Sequence, residues 1–166
     1  MRITTVSAAV ALTLLSVGTS LYGQRPDDQI DPRSLALVQQ ARAAKAAGNL
    51  DAATDALETA LAVDPRNRQA FIVLGEVSRA RGLPGKAIRY YREALSLEPN
   101  DLTALRGQGE AMVAKGAVAR AQENLSKIKK ICTGQCNDAT ELAAVIAKGP
   151  PAPAVAQAAA PKPAGE

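Results

Sequence analysis

The sequence predicts an all-α protein: a short α-solenoid of about three helix–turn–helix units, closed by a C-terminal capping helix. Composition is the first of three observations behind this. Alanine, leucine and long charged side chains, the strong helix formers, dominate. Phe71, Tyr22, Tyr90 and Tyr91 are the only aromatics, too few for a β-sandwich or barrel. The second observation is a recurrence at a fixed offset. Ala60-Leu61-Ala62-Val63-Asp64-Pro65 lines up with Ala94-Leu95-Ser96-Leu97-Glu98-Pro99, thirty-four residues on. The same shift carries Gly48 onto Gly82 and Gly116, and Ala53 onto Ala87 and Ala121. A period of this length marks stacked helix pairs. The third is punctuation, since Gly and Pro fall where each helix should stop or start.

Residues 1–23 read as an address. Arg2 is the only charge before Arg25, and an apolar run, densest over 8–17, ends in small residues, the pattern of a secretory signal peptide. Cleavage after Ser20 places Gly18 and Ser20 at the small-residue positions. Residues 3–22 are also just long enough to span a bilayer, so a retained N-terminal anchor is the alternative. Interspersed Thr and Ser dilute the run and favour cleavage. No cysteine follows the apolar core, which argues against a lipoprotein-type anchor.

A polar lead-in, 24–33, precedes three units at 34–67, 68–101 and 102–136. In the first unit, Asp31-Pro32 opens a helix that ends at Gly48-Asn49, and Asp51 is expected to cap the next. In the second, a helix over 70–81 is broken by Gly82. Pro84 then starts its partner, where a missing N–H costs nothing, and Pro99 ends it. A stack must finish with a helix whose outer face is polar. Asp138 with Glu141 reads as a capping box opening that helix, within 137–148, with Leu142, Val145 and Ile146 facing inward. Residues 149–166, rich in Pro and Ala, read as a disordered tail.

Phe71, Leu74-Gly75, Ala87, Tyr91 and Pro99 together resemble the tetratricopeptide repeat (TPR) pattern of a large aromatic, Leu-Gly, Ala, an aromatic and a closing Pro. Unit one matches less fully through Leu37, Gln40, Ala41, Ala53, Leu57 and Pro65. Unit three does so through Leu105, Gln108, Gly109, Met112, Ala121 and Leu125, with Thr133 where Pro is due. The chain resembles small exported or periplasmic TPR proteins of Gram-negative bacteria. The resemblance implies that first helices line a concave groove holding a peptide. Matching positions make Val38, Arg42, Lys45, Ile72, Glu76, Arg79, Arg106, Glu110 and Val113 the groove-facing candidates. The family's chaperone-binding members grip a peptide carboxylate with Lys and Asn. Val38 and Arg42 replace one such pair here and Arg106 with Glu110 another, so that clamp is not expected.

Little in the chain suggests chemistry. Histidine is absent, which removes the commonest general base and metal ligand; no cofactor, metal or catalytic residue is expected. Cys132 and Cys136, an even pair in an exported chain, suggest a disulfide across the turn at Gly134. Gly107-Gln108-Gly109 lacks the third glycine and preceding strand of a phosphate loop. Asn124-Leu125-Ser126 matches a glycosylation acceptor by chance. Residues 24–103 hold eleven basic and eleven acidic side chains; the net charge of +4 reflects a later excess. Lys115, Arg120, Lys127, Lys129 and Lys130 are therefore candidates for weak attraction to an anionic surface or acidic partner, while nucleic acid is not expected.

The reading is a non-enzymatic interaction module or scaffold of the cell envelope, periplasmic, holding a partner segment in its groove. Two alternatives stand beside it: an accessory thiol–disulfide protein using Cys132 and Cys136, and a membrane-tethered assembly factor if residues 1–23 are retained.

Overall fold

The computed structural model describes residues 29–151, so the leader and most of the Pro/Ala tail lie outside the described residues. Seven α-helices make up the described chain, with no strand: α1 (Pro32–Ala46), α2 (Leu50–Val63), α3 (Arg68–Ala80), α4 (Pro84–Leu97), α5 (Leu102–Ala114), α6 (Val118–Ile131) and α7 (Asn137–Lys148). Successive helices pack as antiparallel neighbours. The odd-numbered helices also touch one another, α1 on α3, α3 on α5 and α5 on α7, as a stack of helical hairpins requires. Among the described residues no helix is long and apolar enough to cross a membrane.

The repeat is visible in the backbone. Gly48, Gly82 and Gly116 carry φ of 78°, 69° and 82°, a left-handed conformation that lets each first helix turn into its partner through three residues. Four helices begin on a side-chain cap. Asp31, Asn49, Asn67 and Asp101 accept from the N–H of Arg33, Ala52, Ala70 and Ala104. Asn49, and not Asp51, caps α2; the helix starts at Leu50, which leaves Asp51 inside its first turn.

The expected capping box at Asp138 and Glu141 does not form. Helix α7 starts at Asn137, behind Cys136, with no side-chain cap. Both carboxylates instead bind Arg106 of α5, at 2.8 and 2.6 Å. A guanidinium, with donors in a planar fork, satisfies two carboxylates better than one backbone N–H satisfies one. Just before α7, Cys132 and Cys136 meet across the loop, their Cα atoms 6.1 Å apart.

The core is built from interlocking shapes. The Tyr91 ring lies between the backbones of α3 and α5: a Cβ at Gly75 would stand 2.6 Å from its Cζ, and one at Gly107 closer still. Gly75 is the small residue the repeat pattern calls for. Gly107 lies outside that pattern, and it admits the ring from the preceding unit. Gly109, which aligns with Gly75, receives Leu142 of α7. Leu142 is fully buried, while Val145 and Ile146 pack partly buried on the α4–α5 cluster.

Candidate functional site

Three of the nine groove candidates are buried. Val38, Ile72 and Val113 are 2 %, 2 % and 1 % exposed. They sit on the flank of each first helix that turns toward the core, where an apolar β-branched side chain is better buried than solvated. Val113 still contributes part of its surface to the groove floor.

The six polar candidates are all held by contacts among the first helices and α7. Arg42 donates to Gln69 Oε1 at 2.6 Å. Lys45 of α1 pairs with Glu76 of α3, and Arg79 of α3 pairs with Glu110 of α5. The second pair is the first moved on by one repeat. Arg106 bridges Glu110 (3.3 Å), Asp138 and Glu141, tying α5 to α7. At the next step the pair is replaced by apolar contact, with Val113 in the same cluster as Val145 and Ile146. Burial pulls the Arg106 pKa down, but the Asp138 hydrogen bond and the charges of Glu110, Glu141 and Asp138 outweigh it, and the pKa is raised.

These pairs edge a concave cleft of about 570 Å³. Its floor is apolar and shallow: Ala80, Pro84, Val113, Ala114 and Val145. Gly149 and Pro151 complete the wall, so the chain leaving α7 runs along the cleft. The cations that line the cleft, Lys45 and Arg79, are neutralised by Glu76 and Glu110 of the same cleft, which leaves neither free to clamp a carboxylate. Among the described residues no cluster of metal-ligating side chains occurs. Asn124 is not a free surface amide, since its Nδ2 donates to Leu105 O and to Gln108 Oε1, each at 3.0 Å.

Tyr91 underlies this floor and is 1 % exposed. Burial pushes its phenol up to about 12, although Arg79, beside the hydroxyl, pulls the other way. A folded state that holds a proton longer than the unfolded chain loses stability as pH rises. The contribution is intact below pH 10 and is lost on passing from 10 to about 12. A two-unit shift corresponds to at most about 2–3 kcal/mol. Urea unfolding across that window should show the loss in the wild type, and Tyr91→Phe should lack that component.

The sequence profile described as tetratricopeptide repeat matches residues 38–101 and 79–128, more than half of the chain. The chain belongs to the tetratricopeptide repeat family. Solved TPR structures agree. The first TPR of Spaghetti (RPAP3), bound to an HSP90 peptide, superimposes with a TM-score of 0.64 at 16% identity, over 70% of this chain and 94% of that one. The Yersinia enterocolitica type III secretion chaperone SycD, in complex with a peptide of the translocator YopD, gives 0.62 at 19%, over 72% and 98%. The type IV pilus biogenesis factor PilW gives 0.57 at 24%, over 60% and 46%. Thermobaculum terrenum O-GlcNAc transferase gives 0.57 at 26%, over 64% of this chain but 20% of the enzyme. The chain thus spans less than half of PilW and a fifth of the transferase. No curated protein sequence matches it.

Proposed function

We propose that this TPR protein is a non-catalytic interaction module of the cell envelope that holds an extended partner segment in its concave groove. The observation that carries the reading is the cleft itself. An apolar floor of small side chains is edged by charges already paired with each other, so the cleft is suited to a backbone with modest apolar side chains. Burying such surface yields roughly 25 cal/mol per Å², and no groove charge has to be stripped of its partner. The peptide complexes of Spaghetti and SycD support use of a TPR groove in this way. An acidic C-terminal tail is disfavoured, because Arg79 and Arg106 are held by Glu110, Asp138 and Glu141.

Export to the periplasm of a Gram-negative cell rests on the apolar leader behind Arg2 and on the cysteine pair, which we take to be a disulfide anchoring the start of α7. Photo-crosslinkers placed at Ala80 and Ala114 in the native host should capture one common partner, and a crosslinker at exposed Glu58 on α2 should not. Equal capture from all three positions, or none from the groove, rejects the reading. Intact mass of the exported protein reads both remaining points: loss of residues 1–20, and loss of the two thiol hydrogens.

A further inference from the structure

A second cleft, of about 630 Å³, lies on the side of the array formed by the second helices. It shares only the α3–α4 turn, Gly82 and Pro84, with the groove. Five cations line it: Lys86, Arg89 and Arg92 of α4, Lys115 of the α5–α6 turn, and Arg120 of α6. No carboxylate lines it. On the groove side and at the first turn, Lys45, Arg79, Arg81 and Arg106 are paired across helices. None of these five has an ion-pair partner among the described residues. Glu93 and Glu123, on the same two helices, do not reach them.

A second observation points the same way. Helices α4 and α6 start at this cleft, from Leu83 and Ala117. Neither start carries a side-chain cap, unlike those of α1, α2, α3 and α5. Two helix N-termini thus add their partial positive charge and first-turn N–H donors to five cations. Leu83, at the rim, is 43 % exposed, one of two large hydrophobics so exposed among the described residues.

We propose that this cleft is a docking site for an extended acidic segment of a partner protein, separate from the groove. Charge complementarity selects an anion, and shape selects a chain. A bilayer surface is flat and cannot enter a concave cleft. An extended backbone can, and its side chains alternate from one face to the other. Carboxylates on one face meet the row Lys86–Arg89–Arg92, whose members are spaced by about one helical turn. Those on the other face meet Lys115 and Arg120, and an apolar residue between them rests on Leu83. The acidic excess implied is several carboxylates within one segment, because like charges on the cleft are relieved only when most are matched.

The test uses the folded chain and a fluorescein-labelled deca-glutamate peptide, read by anisotropy at low and at physiological salt. Binding should weaken as salt rises. Lys115→Glu with Arg120→Glu, and separately Arg89→Glu with Arg92→Glu, should each weaken it by about tenfold or more. Lys129→Glu with Lys130→Glu makes the same change in net charge away from the cleft and should alter binding by less than about threefold. All the substituted side chains are exposed, and circular dichroism confirms the fold of each variant. Equal weakening by all three variants would show attraction to net charge alone and overturn the proposal. So would absence of peptide binding, and so would binding to phosphatidylglycerol vesicles without binding to the peptide.

Discussion

Gly107→Leu is expected to disrupt the centre of the array, with Gly75→Leu close behind. Both glycines face the same ring. Tyr91 is clamped between α3 and α5, so a Cβ at either position enters its van der Waals envelope. The ring has nowhere to go: it is 1 % exposed and packs in a cluster with Ile72, Ile88 and Met112. Overpacking a dense core costs about 1–3 kcal/mol, and a leucine against an aromatic held on both faces falls at or beyond the upper end. The damage should spread in both directions, because α4 carries the contacts that join the second unit to the third. Thermal unfolding followed by circular dichroism should show a large fall in Tm for both variants. Gly85→Ala, where the nearest atom to an added Cβ is Lys115 Nζ at 3.5 Å, should show almost none. Tyr91→Ala placed in the Gly107→Leu background should recover part of the loss, since the two changes share one space and cannot be additive. An unchanged Tm in Gly107→Leu would mean that the ring does not sit there.

What the sequence made legible was the part that repeats. The thirty-four-residue offset located the turns at Gly48, Gly82 and Gly116, and their positive φ values show why glycine recurs there. It also brought Lys45, Glu76, Arg79 and Glu110 together as candidates. Their pairing carries a signal of its own in the sequence: a cation is followed thirty-one residues later by an acid, first at Lys45 and Glu76, then at Arg79 and Glu110. Transfer by register left open that Val38, Ile72 and Val113 are buried, because a family position fixes a helix face only to within a side chain's width. The packing of the neighbouring helix decides which edge of that face is covered. Gly107 was illegible because its contact comes from the preceding unit, where Tyr91 stands. The cationic cleft was hidden by counting. Residues 24–103 are neutral in sum, yet Lys86, Arg89 and Arg92 share a cleft that no acid lines. The basic run read from the sequence splits in space, with Lys115 and Arg120 in the cleft and Lys127 donating to Pro99 O at 2.6 Å instead.

Arg106→Gln is expected to release α7 while leaving the first four helices folded. Three carboxylates converge on this guanidinium, Asp138 and Glu141 from α7 and Glu110 from its own helix. Without it, Glu110 keeps Arg79, but Asp138 and Glu141 face a third acid with no intervening charge. Breaking a fully buried pair costs about 3–5 kcal/mol and a surface pair about 0–1. The Arg106 side chain is 27 % exposed and Glu141 is 56 % exposed, so an intermediate loss of about 2 kcal/mol is expected after solvent screening. Arg81→Gln, which breaks a pair with the largely exposed Asp51, should cost well under half of that. The loss should stay local, because each unit contacts only its neighbours. Hydrogen exchange should therefore quicken across α7 and stay slow around Val73 and Leu74. Asp138→Asn with Glu141→Gln in the Arg106→Gln background should restore much of the protection, since no uncompensated charge is left to repel. Val145, Gly149 and Pro151 line the groove at its α7 end. A freed α7 would open that end, so Arg106→Gln should weaken capture of the groove partner at Ala114 more than at Ala80. Uniform destabilisation of all seven helices, or unaltered exchange in α7, would show that the Arg106 cluster is not what fastens it.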